Sequence, residues 1–501
     1  MSFSRSDDFQ AILDSFLHDE GLPFSDALPL DEFIAAFGDE GDVASHDDDD
    51  VIYTPGVTLW AFLSQMLQKQ EHRSCQAAVE RVITWLEATG RETPSDNTGT
   101  YCRARSRLPL EGIASLVRQI ARGCEAEVPD EWLWHGRHVH LVDGSTLSMP
   151  DTEENQDEYP QMGAQPVGVG FPIARYVVLI SFVTGLVHDL AIGRYMGKET
   201  GETSLFRELF GSLSAGDIVL ADRYYPSWFM IALLQQQGVD MVSRIHHKRL
   251  VDFRRGQRLG KGDHVAGWPR PAKPDWMDQQ TFDALPEVLH VRELKVNVDV
   301  KGFRTESLIV VTTLTDADAF SHSDIAGLYR QRWLVEIDIR AIKCSIDLDV
   351  LRSQSPEMVR KELWTGLLAY NLIRRLILQA TIGTHRTPRE VSFTAALQKV
   401  TANYQTVLLS GNSRRQSTIR RVLEDLLGHR IGHRRNRVEP RAIKRRPKPH
   451  KLLKEPRDVA RRRLGVTPDG TDGCHGPDAI AKAHRKLESD AAAETHRGVQ
   501  A

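Results

Sequence analysis

DIVLADRYYPSWFMIALLQQQGVDMVSRI (residues 217–245) contains an apolar strand, a helix and a second strand in direct succession. The runs DIVLAD (217–222) and VDMVSRI (239–245) are short and rich in branched aliphatic residues, which is typical of strands. Between them, PSWFMIALLQQQG (226–238) is apolar over several helical turns and ends on a glycine. This order predicts a mixed α/β sheet with covering helices.

The residues before this stretch extend the same alternation. HVHLVD (138–143) predicts a strand, and ARYVVLISFVTGLVHDLAIGRY (174–195) predicts two strands that turn at Thr184 and Gly185. ETSLFRELFGSL (202–213) then predicts a helix. At least four strands and two helices therefore belong to one sheet-centred region.

Two further regions flank this core in sequence. Residues 246–312 are strand-like and loop-rich, and predict a β insertion that ends just before the next helix. From about 57 to 120 the periodicity is helical, which predicts a compact helical module. A polar stretch within it places Arg103 and Arg105 near hydroxyl side chains, a combination suited to phosphate contacts. An ordinary basic helix start explains these arginines equally well.

Charge is distributed very unevenly along the 501 residues, although the net charge is only −4. Residues 1–52 carry 15 acidic residues against one arginine, whereas residues 411–463 carry 19 basic residues against 5 acidic ones. The arginine-rich run HRRNRVEPRAIKRRPKPHK (433–451) would attract a polyanion such as nucleic acid. A solvated tail that serves solubility is the alternative.

Composition narrows the class of protein. The apolar fraction of 41% and the charged fraction of 26% are ordinary for a globular protein, and no apolar run is long enough for a membrane helix. The amino terminus lacks the basic and apolar segments of a secretory signal, so we expect a cytoplasmic protein without membrane contact. Five scattered cysteines without a CxxC pair argue against a disulfide framework or a zinc site.

Acidic side chains follow two of the predicted strands. Asp143 comes at the end of HVHLVD, and Asp222 comes at the end of DIVLAD. An aspartate in such a position is commonly only a turn former or a helix cap. The pair gains interest because a third acid lies on a helix further along the chain.

That helix is SDIAGLYRQRWLVEIDIRAIKCSI (323–346), and it carries Tyr329, Arg332, Glu336 and Lys343. In a regular helix these four residues lie within about 60° of one another and form one polar stripe. In isolation such a stripe is most simply a surface ladder of ion pairs. Apolar residues on both sides of it favour a stripe that faces a groove.

The spacing Y-x2-R-x3-E-x6-K resembles the DDE transposases of bacterial insertion sequences, specifically the insertion-sequence-four family. The resemblance extends to VDGST at the first aspartate, LADRYYPS at the second, and NTGTYCRARSRLP before the sheet, and it covers roughly residues 57–380. It implies an RNase H-like catalytic domain with a β insertion before the last catalytic helix. The implied domains are an acidic segment (1–52), a helical DNA-binding module (53–130), the catalytic domain (131–385), a helical and basic region for DNA or dimer contacts (386–466) and a disordered tail (467–501).

The resemblance also implies the chemistry of the site. Asp143, Asp222 and Glu336 would be the catalytic carboxylates and would hold two Mg²⁺ (or Mn²⁺) ions, for which oxygen ligands are suited. The substrate would be double-stranded DNA, namely the terminal inverted repeats of the element and its target, bound by a homodimer in a synaptic complex. Two tryptophans of the insertion, Trp268 and Trp276, are candidates for stacking a flipped base, although packing explains each of them as well.

Seven residues are candidates for DNA contacts by the same resemblance or by their positions near it. They are Tyr329, Arg332, Lys343, Arg223, Arg244, Arg103 and Arg105.

Two other functions remain open at this stage. One is a DNA-binding regulator that descends from a transposase and has lost catalysis, and the other is a structure-specific nuclease without strand transfer. The presence of all three acids argues against the regulator.

Overall fold

The computed structural model of the protein describes residues 52–88, 90–246, 248–297, 307–410, 412–431 and 454–463. By compactness the chain divides into two units, residues 1–160 with 172–441, and residues 161–171 with 442–501. The acidic segment up to residue 51, the arginine-rich run 433–451 and the tail 467–501 lie outside the described residues.

A nine-stranded sheet organises the first unit, with strand order β3-β2-β1-β4-β5-β9-β8-β7-β6. Strands β1, β4 and β5 run parallel, and every other neighbouring pair is antiparallel. The order of the first five strands is that of the RNase H-like fold. The strands are β1 (Val139–Ser148), β2 (Ile173–Ser181), β3 (Val187–Arg194), β4 (Ile218–Ala221), β5 (Asp240–Arg244), β6 (Gln257–Gly260), β7 (Asp263–Pro269), β8 (Val288–Asn297) and β9 (Ser307–Thr312).

Helices precede, interrupt and follow the sheet. The α-helices of the first unit are α1 (Pro55–Met66), α2 (Cys75–Ala88), α3 (Thr98–Arg107), α4 (Leu110–Ala126), α5 (Glu153–Glu158), α6 (Glu202–Glu208), α7 (Trp228–Gln236), α8 (Gln279–Ala284), α9 (His322–Arg330), α10 (Leu334–Arg340), α11 (Pro356–Thr381), α12 (Phe393–Leu409) and α13 (Asn412–Leu426). Short 3₁₀ helices span Gln70–Arg73, Asp130–Trp132, Phe210–Ser212, Gln331–Trp333 and Pro388–Glu390, and a π-helical turn spans Ala341–Ser345. In the second unit a short helix, α14, spans Arg457–Arg463.

Both faces of the sheet are buried because successive strand residues enter two different cores. In β4, Leu220 belongs to the core that α4, α10 and α11 share, whereas Val219 belongs to the core that α6 and α7 share. The same alternation holds in β2 for Val178 and Val177. A strand covered on both faces needs apolar residues at every position, which explains why DIVLAD lacks a polar alternation.

The predicted β insertion does not form a separate sheet. Strand β9 pairs with β5, with Ser243 opposite Val311, and β8, β7 and β6 add outward from it. The insertion therefore extends the central sheet on the side of Asp222.

The helical module contains one helix more than the apolar pattern alone indicates. α3 lies in the stretch that the sequence presents as polar, and Asn97 caps it by accepting from the Gly99 amide at 2.7 Å. Tyr101 and Ala104 are its buried residues, three positions apart, so one face of this helix packs inward. No helix among the described residues meets the length and apolarity that a membrane span requires.

Candidate active site

The two predicted aspartates meet at one edge of the sheet. β1 and β4 are parallel neighbours whose last paired residues are Val142 and Ala221, so Asp143 and Asp222 follow side by side. The prediction that the first strand ends at Asp143 is wrong in one respect: β1 continues to Ser148 because β2 pairs with it that far. Asp143 therefore marks the point where β1 leaves β4, and its backbone stays held by β2.

Each aspartate is fixed by a local hydrogen bond. The Gly144 amide donates to Asp143 Oδ1 at 2.9 Å, and the Arg223 amide donates to Asp222 Oδ1 at 2.7 Å. Burial raises the pKa of Asp143 to about 6, with the negative charges of Glu202 and Asp222 adding to the rise. Its hydrogen bond to Gly144 and the charge of Arg332 oppose the rise but do not cancel it.

The chain after β9 is helical throughout but is not one α-helix. α9 is followed by the 3₁₀ turn Gln331–Trp333, then α10, then the π-helical turn Ala341–Ser345. The prediction of a single regular helix over 323–346 is thus wrong. Changes of helical type alter the angle per residue, so the four motif residues do not form the straight stripe that their spacing indicates.

Arg332 joins two of the three acids. Its Nη2 donates to Glu336 Oε1 at 2.7 Å, and its Nη1 lies 3.9 Å from Asp143 Oδ2. The Glu336 side chain is 57% exposed, whereas that of Arg332 is 19% exposed. The guanidinium of Arg332 therefore places a positive charge between the two carboxylates.

Tyr329 and Arg244 lie on the other side of this group. Tyr329 is 7% exposed, and burial raises the pKa of its hydroxyl to about 12. It is hydrogen-bonded to Arg332, and both Asp222 and Arg244 are near enough to influence its pKa. The structure thus brings Tyr329, Arg332 and Arg244 to the two aspartates and Glu336.

Lys343 has a different environment from the one its motif position predicts. Its Nζ donates to Thr146 O at 2.9 Å and to Ser145 Oγ at 3.3 Å, and it pairs with Asp349 at 2.7 Å. These contacts tie the π-helical turn to β1, two residues beyond Asp143. In this structure Lys343 therefore holds the helix against the strand, and its ammonium is not presented to solvent as a free phosphate contact.

Comparisons with known proteins agree with this arrangement. Residues 134–372, which include the whole sheet and all three acids, match the family described as "Transposase DDE domain". The transposase InsG of insertion sequence element IS4 from Escherichia coli (strain K12) is 26% identical over 396 residues, or 78% of this chain and 85% of that protein. These two matches support a DDE transposase of the insertion-sequence-four family.

More distant similarities accompany these two. The transposase of insertion sequence element IS421 from Escherichia coli is 26% identical over 194 residues, which is 33% of this chain and 52% of that protein. A piggyBac transposase in a synaptic complex with hairpin DNA has 10% identity, covers 94% of this chain and 87% of its own, and gives a TM-score of 0.39. That score is too low to support an argument, and the fold assignment rests on the strand order.

The other predicted DNA contacts have different environments: one adjoins a candidate catalytic aspartate and two lie on the helical module. Arg223 is half-buried beside Asp222, with its guanidinium 5.1 Å from the ring centroid of the exposed Tyr224. In α3, Arg103 is exposed, whereas Arg105 packs over Phe62 at 4.9 Å. In this structure the Arg105 guanidinium serves the packing of the module, and its predicted DNA contact stays a prediction.

The tryptophans of the insertion also have packing roles. Trp268 is 3% exposed, its Nε1 donates to Glu293 at 2.9 Å, and the Arg249 guanidinium lies 3.5 Å from its ring centroid. Trp276 carries the Arg207 guanidinium at 3.8 Å. Neither ring is free to stack a base without moving an arginine.

A fourth acid at the site was missed from the sequence. Glu202, the first residue of α6, lies against Gly144 and accepts from the Tyr225 hydroxyl at 3.3 Å. An acid at a helix start is ordinary, so its own position gave no signal. The glycine directly after Asp143 was the available signal, because it marks a place of close approach.

The donor chemistry fits a divalent metal, although the side chains are not arranged around one. Among the described residues, no three His, Cys, Asp or Glu side chains are close enough to hold a metal ion as they stand. Carboxylate oxygens are nevertheless the ligands that Mg²⁺ prefers. The position of Arg332 between Asp143 and Glu336 shows that this space favours positive charge.

Proposed function

We propose that the transposase binds the terminal inverted repeats of its insertion sequence and catalyses DNA strand cleavage and strand transfer with two divalent metal ions. The observation that carries this proposal is the meeting of Asp143 and Asp222 at one sheet edge, with Glu336 bound to the same arginine as Asp143. The three acids come from a strand, a strand end and a helix, and Arg332 bridges two of them.

Asp143, Asp222 and Glu336 would hold the metal ions. Bound Mg²⁺ or Mn²⁺ would lower the pKa of a water or a DNA 3′-hydroxyl and stabilise the leaving oxygen. For Glu336 to serve, its carboxylate must part from Arg332, and a DNA phosphate is a suitable competing partner for that guanidinium. Arg332 would then neutralise phosphate charge while Glu336 turns towards the aspartates.

Double-stranded DNA would lie along the cations near this edge. Arg223 follows Asp222 directly and is half-buried, and Arg103 is exposed on the helical module. Tyr329 lies near both Asp222 and Arg244, and the tyrosine and the arginine would contact the strand at the reacting phosphate. Cutting both ends of one element requires two active sites, so we propose a homodimer in the synaptic complex.

The decisive experiment uses linear DNA that carries the element's own ends, a second target DNA and Mg²⁺. The wild-type protein should cut at the end boundary and join the cut end to the target. Asp143→Ala should bind the ends without cutting them. Asp217→Asn, which alters a carboxylate at the opposite end of β4, is the matched control and should still cut.

The alternatives predict other products. Cutting without joining would replace the transposition proposal with a structure-specific nuclease. End binding without cutting by the wild type would replace it with a regulator that has lost catalysis.

A further inference from the structure

Glu202 approaches the active-site edge more closely than a surface residue of α6 would. A Cβ atom added at Gly144 would lie 2.6 Å from Glu202 Cδ and 2.9 Å from its Oε1. Those distances are far below normal contact, so the glutamate can rest there only because residue 144 has no side chain. The carboxyl group therefore lies against the backbone directly after Asp143.

A buried tyrosine connects the same carboxyl group to the second aspartate. Tyr225 is fully buried, and its hydroxyl donates to Glu202 Oε2 at 3.3 Å. Its backbone amide in turn donates to the carbonyl of Asp222 at 3.1 Å. Glu202 is thus linked to the turn that carries Asp222 as well as to the strand that carries Asp143.

The two glutamates reach the aspartates from opposite faces of the sheet. Leu205 and Phe206 of α6 belong to one core, whereas Val335 and Ile339 of α10 belong to the other. Glu336 therefore comes from the layer that holds α10, and Glu202 comes from the layer that holds α6.

The charges around Glu202 lack a compensating cation. Among the described residues, no lysine, arginine or histidine forms an ion pair with Glu202 or Asp222, and Asp143 has only Arg332 at 3.9 Å. That guanidinium is already bound to Glu336. Acids brought together with only one shared guanidinium repel one another and favour a further bound cation.

An ordinary helix-start acid would be turned towards the amides of its own helix. Among the described residues the hydrogen bond that Glu202 accepts comes from Tyr225, and no amide of α6 donates to it. Its carboxyl group is instead aimed at the sheet edge. The helix dipole alone does not explain that orientation.

We infer that Glu202 is a fourth carboxylate of the active site, which takes a divalent cation together with Asp143 and Asp222. The inference rests on the proposed two-metal function and names a ligand outside the three acids of the DDE motif. The Tyr225 hydroxyl holds the Glu202 side chain, so its carboxylate would have to give up or share that hydrogen bond to bind the cation.

Binding of Mn²⁺ to the full-length protein, measured by calorimetric titration in the presence of end DNA, tests this directly. Glu202→Gln should weaken Mn²⁺ affinity by about tenfold or more, the scale on which groups around a metal act. Glu208→Gln, at the other end of the same helix, should leave the affinity unchanged. Wild-type affinity in Glu202→Gln would overturn the inference.

Asp143→Asn separates this inference from the function on which it rests. Weaker binding in Asp143→Asn with wild-type binding in Glu202→Gln would overturn the role of Glu202 alone. Wild-type binding in both variants would overturn the two-metal function as well.

Gly144→Ala provides a second variant if Glu202→Gln does not fold. The added methyl group would displace the flexible end of Glu202 while leaving every carboxylate in the chain. Mn²⁺ affinity should fall in this variant too. Unchanged affinity in a folded Gly144→Ala protein would count against the proposed position of Glu202.

Discussion

Acids lie near both ends of the central strands, but among the described residues histidine side chains pair with them only at one end. At the amino end, Glu125 accepts from His138 at 2.6 Å and lies 3.4 Å from His188. Asp217 there accepts from His140 at 3.2 Å. These hydrogen bonds lower the pKa of both acids despite their burial, so they are charged and satisfied.

At the carboxyl end of the strands the pKa shift has the opposite sign. Burial raises the pKa of Asp143, and its acidic neighbours Glu202 and Asp222 add to that rise. The difference teaches how to separate structural acids from functional ones in this fold. Acids whose charged form is stabilised by hydrogen bonds contribute to folding. Acids whose charged form is disfavoured by burial and by other acids are positioned to bind a ligand.

The largest expected effect is on DNA strand cleavage, which should distinguish the acids at the two ends of the central strands. Asp143→Asn should reduce strand cleavage at least ~10³-fold, because losing a catalytic group typically costs that much or more. Glu125→Gln should retain cleavage but lower the free energy of unfolding by about 1–3 kcal/mol, since it leaves buried hydrogen-bond donors unpaired. Cleavage rates and urea unfolding of both variants measure this. Equal loss of cleavage in the two variants would remove the distinction.

A second test compares two acids on one helix. Asp338 is fully buried and accepts from Arg374 at 2.5 Å and from Arg389 at 2.6 Å, only two residues after the exposed Glu336. Asp338→Asn should lower the free energy of unfolding by about 3–5 kcal/mol, the usual cost of breaking a buried ion pair.

Glu336→Gln is the matched control for Asp338→Asn. It should change the free energy of unfolding by no more than about 0.5 kcal/mol, because its surface pair with Arg332 contributes little, yet it should abolish cleavage. Urea unfolding at neutral pH distinguishes the two variants, and equal destabilisation would contradict the assignment.

The third effect concerns pH and is smaller. The pKa of Asp143 rises from its ordinary value of 3.8 to about 6, so folding disfavours its charged form by up to about 3 kcal/mol. With a chelator present, Asp143→Asn should therefore be more stable than the wild type at pH 8. The gain should shrink as the pH falls through 6 and vanish below about 4, where the wild-type carboxyl is protonated in both states. If Asp143→Asn were no more stable than the wild type at pH 8, the site would not disfavour the charged form of Asp143.

The sequence predicted the parts of the site that depend on local pattern. Strand runs placed Asp143 and Asp222 at strand ends, and the parallel pairing of β1 with β4 then brings these ends to one edge of the sheet. Motif spacing placed Glu336 on the helix that follows the insertion. Both depend on residues near one another in the chain or on a pattern that the family repeats.

Contacts between distant segments were not predictable in the same way. Glu202 reaches the site because α6 packs on the face of the sheet opposite α10. Lys343 turns back to Ser145 and Thr146 because a π-helical turn changes its direction. Neither the side of the sheet nor the type of helix is encoded in the apolar periodicity that the sequence shows.

The smallest expected effect concerns two arginines of the helical module. Arg103 and Arg105 are two residues apart in α3, but Arg103 is exposed, whereas Arg105 packs over Phe62 and Tyr101 and donates to Gln65 at 3.3 Å. Arg105→Ala should lower the free energy of unfolding by about 1–2 kcal/mol through lost cation–π contacts and leave the salt dependence of DNA binding unchanged.

Arg103→Ala should do the reverse, because an exposed arginine contributes little to folding but releases counterions when it meets a phosphate. Stability should stay within about 0.5 kcal/mol of the wild type, while the slope of log affinity against log salt should decrease by about one. Titration of end DNA at several salt concentrations, paired with urea unfolding, measures both quantities. An unchanged slope in Arg103→Ala would remove α3 from the proposed DNA surface. Arg103 would then have no role in DNA binding, as we expect for Arg105.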